Sequence, residues 1–276
     1  MRGFLGALVV VVLAACGSSG PPSWVVEHEG RQSTLLGTMH AEVDLSELSP
    51  TILDQVTHAR VLVTEADVRS STVSQADLLA AVTLEGTQSI QDLVSPGDWQ
   101  MVVRAASFVE PAQLARLQPW FIEGQIVLRN LPSDIEPIDA GLVARAERAG
   151  TPLAFFETWR EQVTALNGLG VDDGLAILLR TARDPSATAA AHLEWADAYV
   201  AGDVERMTAL AFDPAAMTAR PAFYQQIVFR HDAWLARLDE EVRAGDAVIA
   251  VGFMHMLTDR GLPARLAARG YKVTER

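Results

Sequence analysis

Two short stretches carry the residues best suited to chemistry: "TLLGTMH" at 34–40 and "IAVGFMH" at 249–255. In each, an apolar run of the kind that forms a buried strand ends in Gly, two further residues and a His. Glycine lets the backbone turn sharply, or approach a ligand closely, directly before the histidine. One Gly-x-x-His says little. Two copies, both after strand-like runs and both Gly-x-Met-His, point to one shared site holding His40 and His255. In open α/β sheets ligands bind beyond the carboxyl ends of the strands. The polar residues at or just past apolar runs are His40, Glu65, Asp139, Glu157 and His255. Two imidazoles and a carboxylate are a familiar ligand set for a divalent transition metal, leaving a position open for water. Met39 and Met254, inside the motifs, read as packing residues rather than ligands.

Strands at both ends of the chain must position these groups. "SWVVEHEGRQSTLLG" suggests a hairpin whose second run leads into His40. "ARVLVTEAD" reads as a strand ending near Glu65, "TPLAFFET" as one ending at Glu157, "DAVIAVG" as one leading into His255, and "YKVTE" as a last strand. Ser49-Pro50 and Ser95-Pro96 are helix starts, with Ser as N-cap and Pro at the first helical position. Pro119 interrupts the helical pattern from 110 to 131. A helix over 140–149 stops at Gly150, and Trp159 to Arg243 is mostly helix-forming. Strand and helix alternate at both ends around a helical middle, which predicts an α/β fold with a central sheet. Arg160, Gln162, Arg230, His231 and Asp232 fall on helix starts or faces, where solvated or capping roles are the default.

The start of the chain, "MRGFLGALVVVVLAACGSSG", has a positive n-region at Arg2 and an apolar core too short to span a bilayer comfortably. "LAAC" at 13–16 resembles the lipobox of bacterial lipoproteins, in which the Cys becomes the first mature residue and carries lipid. The expected organisation is a lipoprotein signal peptide over 1–15, a flexible tether over 16–23 behind lipidated Cys16, and one folded domain over 24–276. That places the protein in a bacterial cell envelope, periplasmic or surface-facing, with the membrane reached through the lipid on Cys16. Cys16 is the only cysteine, which excludes an internal disulfide and argues against a thiolate metal site or a cysteine nucleophile. Without Arg2 the formal charge moves from -13 to -14, and Lys272 is the only lysine. So acidic a chain, with no basic cluster, is unsuited to nucleic acid. It also lacks a Gly-x-Ser-x-Gly elbow, a phosphate-binding glycine loop and a His-Glu-x-x-His helix.

"STLLGTMH", "VTEAD", "IDAGLVARAERAGTPLAFFETWREQ" and "VIAVGFMHMLTDRGLPARLAARGYKV", in that order, resemble the TraB/GumN family, which is related to the Tiki proteins. The resemblance covers about 24–276 and extends to ChaN-like and erythromycin-esterase-like folds. It implies an α/β core of two related halves with the site at their junction. It also implies metal-dependent proteolysis, by analogy with Tiki members. In those terms His40 and His255 are metal ligands, and Glu65 completes the ligand set or acts as general base. Asp139, Glu157, Gln162 and Arg230 would then be supporting or substrate-orienting residues. The implied cofactor is Mn, Co or Zn, and the implied substrate a peptide or protein. Two alternatives follow from the same relatives: a non-enzymatic module for haem or another ligand, or an accessory protein of envelope polysaccharide export. The chain departs from the family pattern in two places, with "MLTD" where a Leu-x-Gly turn is usual and Arg230-His231 where Arg-Asn is usual.

Overall fold

The computed structural model describes residues 20–67, 69 and 72–276. The expected signal at 1–15, Cys16 and the first part of the tether lie outside the described residues. Two strands, β1 (Ser23–His28) and β2 (Arg31–Thr38), pair as the expected antiparallel hairpin. Glu29 and Gly30 link them with φ of 49° and 80°. Positive φ at both central positions is the tight turn that matches strand twist.

Four more strands, β3 (Val61–Ala66), β4 (Leu153–Glu157), β5 (Ala247–Gly252) and β6 (Lys272–Glu275), complete a six-stranded sheet in the order β4-β3-β5-β2-β1-β6. β4, β3, β5 and β2 run parallel, and β1 lies antiparallel to both β2 and β6. Every residue of β5, "AVIAVG", is buried, as a parallel strand covered on both faces requires. The α/β class and helical middle thus agree with the sequence. The two ends of the chain interleave, however, because β5 inserts between β3 and β2. The expected halves therefore share their layers: Leu36 and Leu62 pack with Val248 and Ala250 in one core, and Leu35 and Val63 with Ile249 and Val251 in the other.

That insertion creates the place where a ligand can sit. After β2 the chain crosses β5 to reach β3; after β5 it crosses β2 and β1 to reach β6. The helix after β2, Pro50–His58, packs into the first core through Ile52 and Val56. The helix after β5, Leu262–Ala268, packs into the second through Leu262 and Leu266. Neighbouring strands whose connections leave in opposite directions open a crevice at their carboxyl ends. Both Gly-x-x-His motifs lie at that edge.

Helices cap and end where the sequence says. Ser49 accepts from the Ile52 N–H and Ser95 from the Asp98 N–H. Pro119 splits its segment into Pro111–Leu114 and Pro119–Asn130, and Gly150 closes Ile138–Ala149 at φ 76°. A third core, around Trp99, Ile122, Ile126 and Leu178, belongs to the helical middle. Among the described residues no helix is long and apolar enough to cross a membrane.

Candidate active site

β2 and β5 pair in parallel with Gly37 opposite Val251 and Thr38 opposite Gly252, which brings the two motifs side by side. Their glycines answer different demands. A Cβ on Gly37 would stand 3.1 Å from the Cα and 3.2 Å from the Cβ of Phe253, the residue after the second glycine. It keeps the two strand ends together. A Cβ on Gly252 would stand 3.1 Å from Glu65 Oε1, 3.3 Å from His40 Nε2 and 3.6 Å from His255 Cδ2. Three side chains therefore gather over one bare α-carbon. Gly37→Ala pushes against backbone, which cannot swing aside. We expect it to lower unfolding stability by about 1–3 kcal/mol in urea titrations, and an unchanged midpoint would mean that the Phe253 turn slides freely past β2.

His40 leaves β2 two residues beyond Thr38, and its side chain is 65% exposed. Its Nδ1 lies 2.8 Å from Asp139 Oδ2, while Thr38 donates to Asp139 Oδ1 at 2.8 Å. Asp139 occupies the first turn of Ile138–Ala149, the end of a helix that favours negative charge. The Asp139 carboxylate raises the His40 pKa above its ordinary value. With Nδ1 held by Asp139, the other ring nitrogen faces Gly252.

Glu65 is buried on β3. Its Oε1 accepts from the Gly252 N–H at 2.7 Å, and its Oε2 from Gln162 at 3.2 Å and Arg230 at 3.1 Å. Burial alone would push its pKa up. The charges of His255, His40 and Arg230 outweigh that and hold it well below the carboxylate range. Arg230 also donates to Glu157 Oε1 at 2.7 Å, and its guanidinium lies over the Trp234 ring, 4.8 Å from the centroid. The Trp234 indole N–H closes the group onto Glu157 Oε1 at 2.6 Å.

His255 ends the short 3-10 turn Phe253–His255 and is buried. Its Nε2 lies 3.4 Å from Glu65 Oε1. Its Nδ1 faces two groups, the Val228 carbonyl at 2.9 Å and His231 Nε2 at 2.9 Å. His231 is fully buried. Burial first, then the charges of His255 and Arg265, lowers its pKa to about 3, so the ring is neutral. The backbone of Arg260 favours its charged form without closing a hydrogen bond to Nδ1, which has no partner.

All seven residues singled out in the sequence meet at this edge: His40, Glu65, Asp139, Glu157, Gln162, Arg230 and His255. Glu157, Arg230 and His231 are turned inward rather than solvated, because β4 and the segment after Tyr224 fold toward β3 and β5. The sequence did not point to Trp234, the Val228 carbonyl or the Gly252 N–H. Backbone groups leave no trace in residue types, and a Trp in a helical stretch reads as ordinary core. The one legible signal was His231, as a departure from the usual Arg-Asn pair.

A scan of protein-family models matches the TraB/PrgY/gumN family over residues 22–275. The chain belongs to this family. No curated protein and no solved structure matches it. The match spans both Gly-x-x-His motifs and every other residue of this TraB/PrgY/gumN site.

The site can be weighed against the metal that the resemblance implied. Among the described residues no group of three or more His, Cys, Asp or Glu side chains is arranged to hold a metal ion. The two imidazoles nevertheless fit one. Each has its Nδ1 engaged elsewhere, by Asp139 or by Val228 and His231, the outer support that orients ligating histidines. Both rings border the hollow over Gly252. Glu65 Oε1 faces the same hollow with one close protein donor, the Gly252 N–H. Its Oε2 is committed to Arg230 and Gln162.

Proposed function

We propose that this TraB/PrgY/gumN protein is a metal-dependent hydrolase of peptide or protein substrates, tethered to a bacterial envelope membrane through lipid on Cys16. One observation carries the reading: two imidazoles and Glu65 Oε1 gather over the bare α-carbon of Gly252, with each Nδ1 turned to a group outside the hollow. His40 and His255 would hold Mn, Co or Zn through Nε2, with Glu65 Oε1 beside them. When bound, such a metal supplies a hydroxide from water near neutral pH and polarises a carbonyl.

The chain's own groups do the positioning. Asp139 fixes the His40 ring and Thr38 fixes Asp139. Arg230 and Gln162 hold Glu65 so that Oε1 looks at Gly252. Arg230 and Gln162 occupy Glu65 Oε2, so Glu65 serves through Oε1 alone, as a charged anchor beside the two imidazoles. The lipid tether rests on "LAAC" at 13–16.

Metal content decides the proposal. Purified protein loaded with Mn, Co or Zn and dialysed is expected to retain about one ion per chain, and His40→Ala and His255→Ala to lose it while staying folded. A peptide-library screen of the loaded protein then seeks the cleaved bond. Folded wild type that retains no metal would sink the metalloprotease reading. Cleavage by such a metal-free protein would move the chemistry to the Asp139–His40 pair.

A further inference from the structure

Asp139 sets which way the His40 ring turns, but where the ring stands depends on the backbone that carries it. Residues 39–43 belong to no helix or strand. Their support comes from the helical middle, in the helix Pro185–Val200. His192, Trp195 and Tyr199 stand there at i, i+3 and i+7, which is one face of a helix. His192 Nδ1 lies 2.8 Å from Glu42 Oε1, and Glu42 Oε2 accepts from the Ala41 N–H at 3.1 Å. Ala41 also packs on Val127, Leu131 and Ala189, the last from the same helix. Trp195 meets the Phe253 ring edge-on, with centroids 6.2 Å apart. Tyr199, fully buried, donates its hydroxyl to the Gly37 carbonyl at 2.7 Å. One helical face thus touches both Gly-x-x-His motifs and the turn that follows the first.

These contacts differ in what they hold. Trp195 and Tyr199 bear on strand ends that the β2–β5 pairing already fixes. The Glu42–His192 contact bears on the irregular turn. The Glu42 side chain is only 11% exposed, and its two oxygens are taken by His192 and by the Ala41 amide. An apolar side chain in place of His192 would leave Oε1 poorly hydrated and unpaired, and such a carboxylate turns out toward water. Ala41, bonded to the same carboxylate, would lose its anchor, and His40 is the residue before it.

We propose that His192 is a positioning residue: through Glu42 it fixes the backbone on which His40 stands, so that the helical middle sets the separation of the two imidazoles. The hold on the turn stands on the hydrogen bonds and packing alone; only its effect on a metal rests on the hydrolase reading.

Backbone-amide hydrogen exchange of metal-free protein, followed by nitrogen-15 NMR, tests it. In wild type the Ala41 amide is expected to exchange about ten-fold or more slowly than in an unstructured chain. His192→Leu, which raises helix propensity rather than lowering it, is expected to remove most of that protection while β5 keeps its own. His192→Asn, whose side chain keeps a donor near the place of Nδ1, is expected to restore it. A wild-type Ala41 amide that exchanges as fast as unstructured chain overturns the proposal, and this result needs no variant to fold. Equal protection in wild type and folded His192→Leu also overturns it. A Zn titration reads the consequence. His192→Leu is expected to bind about ten-fold more weakly and His192→Asn nearly as wild type, the scale for losing the outer support of a ligating histidine. Leu178→Ala, in the third core, controls for lost stability and should leave the affinity of the folded protein unchanged. Unaltered affinity in His192→Leu, beside a wild type that binds Zn, overturns the positioning role. Exchange that responds as expected while no form binds Zn would keep the hold on the turn and remove the metal reading.

Discussion

Arg230→Met should cost about 3–5 kcal/mol of unfolding stability near neutral pH, the scale for stripping one partner from a buried ion group. Arg230 stands between two carboxylates, Glu65 and Glu157, whose side chains are 9% and 10% exposed. Methionine keeps the apolar stem over Trp234 but leaves Glu157 without its guanidinium and removes one of the charges beside Glu65. The pH dependence gives the sign. In the wild type the Glu65 pKa is depressed, so its contribution is present above the unfolded value of about 4.5 and is lost as pH falls through the folded pKa. Removing Arg230 removes one of the depressing charges and lets burial raise the pKa. The gap between wild type and variant should therefore be widest above pH ~5 and narrow on acidification. Adding Glu157→Gln, which keeps an oxygen for the Trp234 N–H, should recover part of the loss. Urea titrations across pH check this. A gap that stays constant with pH would mean that Arg230 acts through packing rather than charge.

The part of this site that the sequence revealed is the part carried by side chains at strand ends. His40, Glu65, Glu157 and His255 follow or close apolar runs, and a parallel sheet gathers such positions at one edge. Pairing was less legible. Periodicity marks β2, β3 and β5 as strands but does not say that β5 enters between the other two, because that order depends on which connection covers which face. The neighbourhood of His255 was the least legible. His231 lies on a stretch whose residue types suit a solvated helix face, yet it is fully buried. Tyr224–Val228 forms a π-helical turn before the 3-10 turn Arg230–Ala233, and an α-helical pattern misplaces every residue after such a widened turn. Arg230 and Gln162 were named through the family resemblance; their spacing alone gave no reason to set them against Glu65.

Gly252→Ala should separate the site from the fold. The backbone there, φ -48° and ψ 135°, is open to any residue, so alanine adds no conformational strain and removes freedom from the unfolded chain. The new methyl would nonetheless meet Glu65 Oε1 at 3.1 Å and His40 Nε2 at 3.3 Å. Glu65 cannot retreat easily, because the Gly252 N–H, Gln162 and Arg230 hold both of its oxygens. His40 is the exposed member and will yield, swinging away from the hollow and from Asp139. Displacement of a reacting group by this much costs on the order of 10- to 100-fold, and we expect a loss of that size in Zn or Mn affinity, with unfolding stability within about 1 kcal/mol of wild type. Gly37→Ala, whose methyl meets the Phe253 backbone, should do the reverse, lowering stability while the folded fraction keeps its affinity. Undiminished metal affinity in a folded Gly252→Ala protein would show that His40 and Glu65 do not share the hollow, and would leave the repeated glycine with strand packing as its only physical reason.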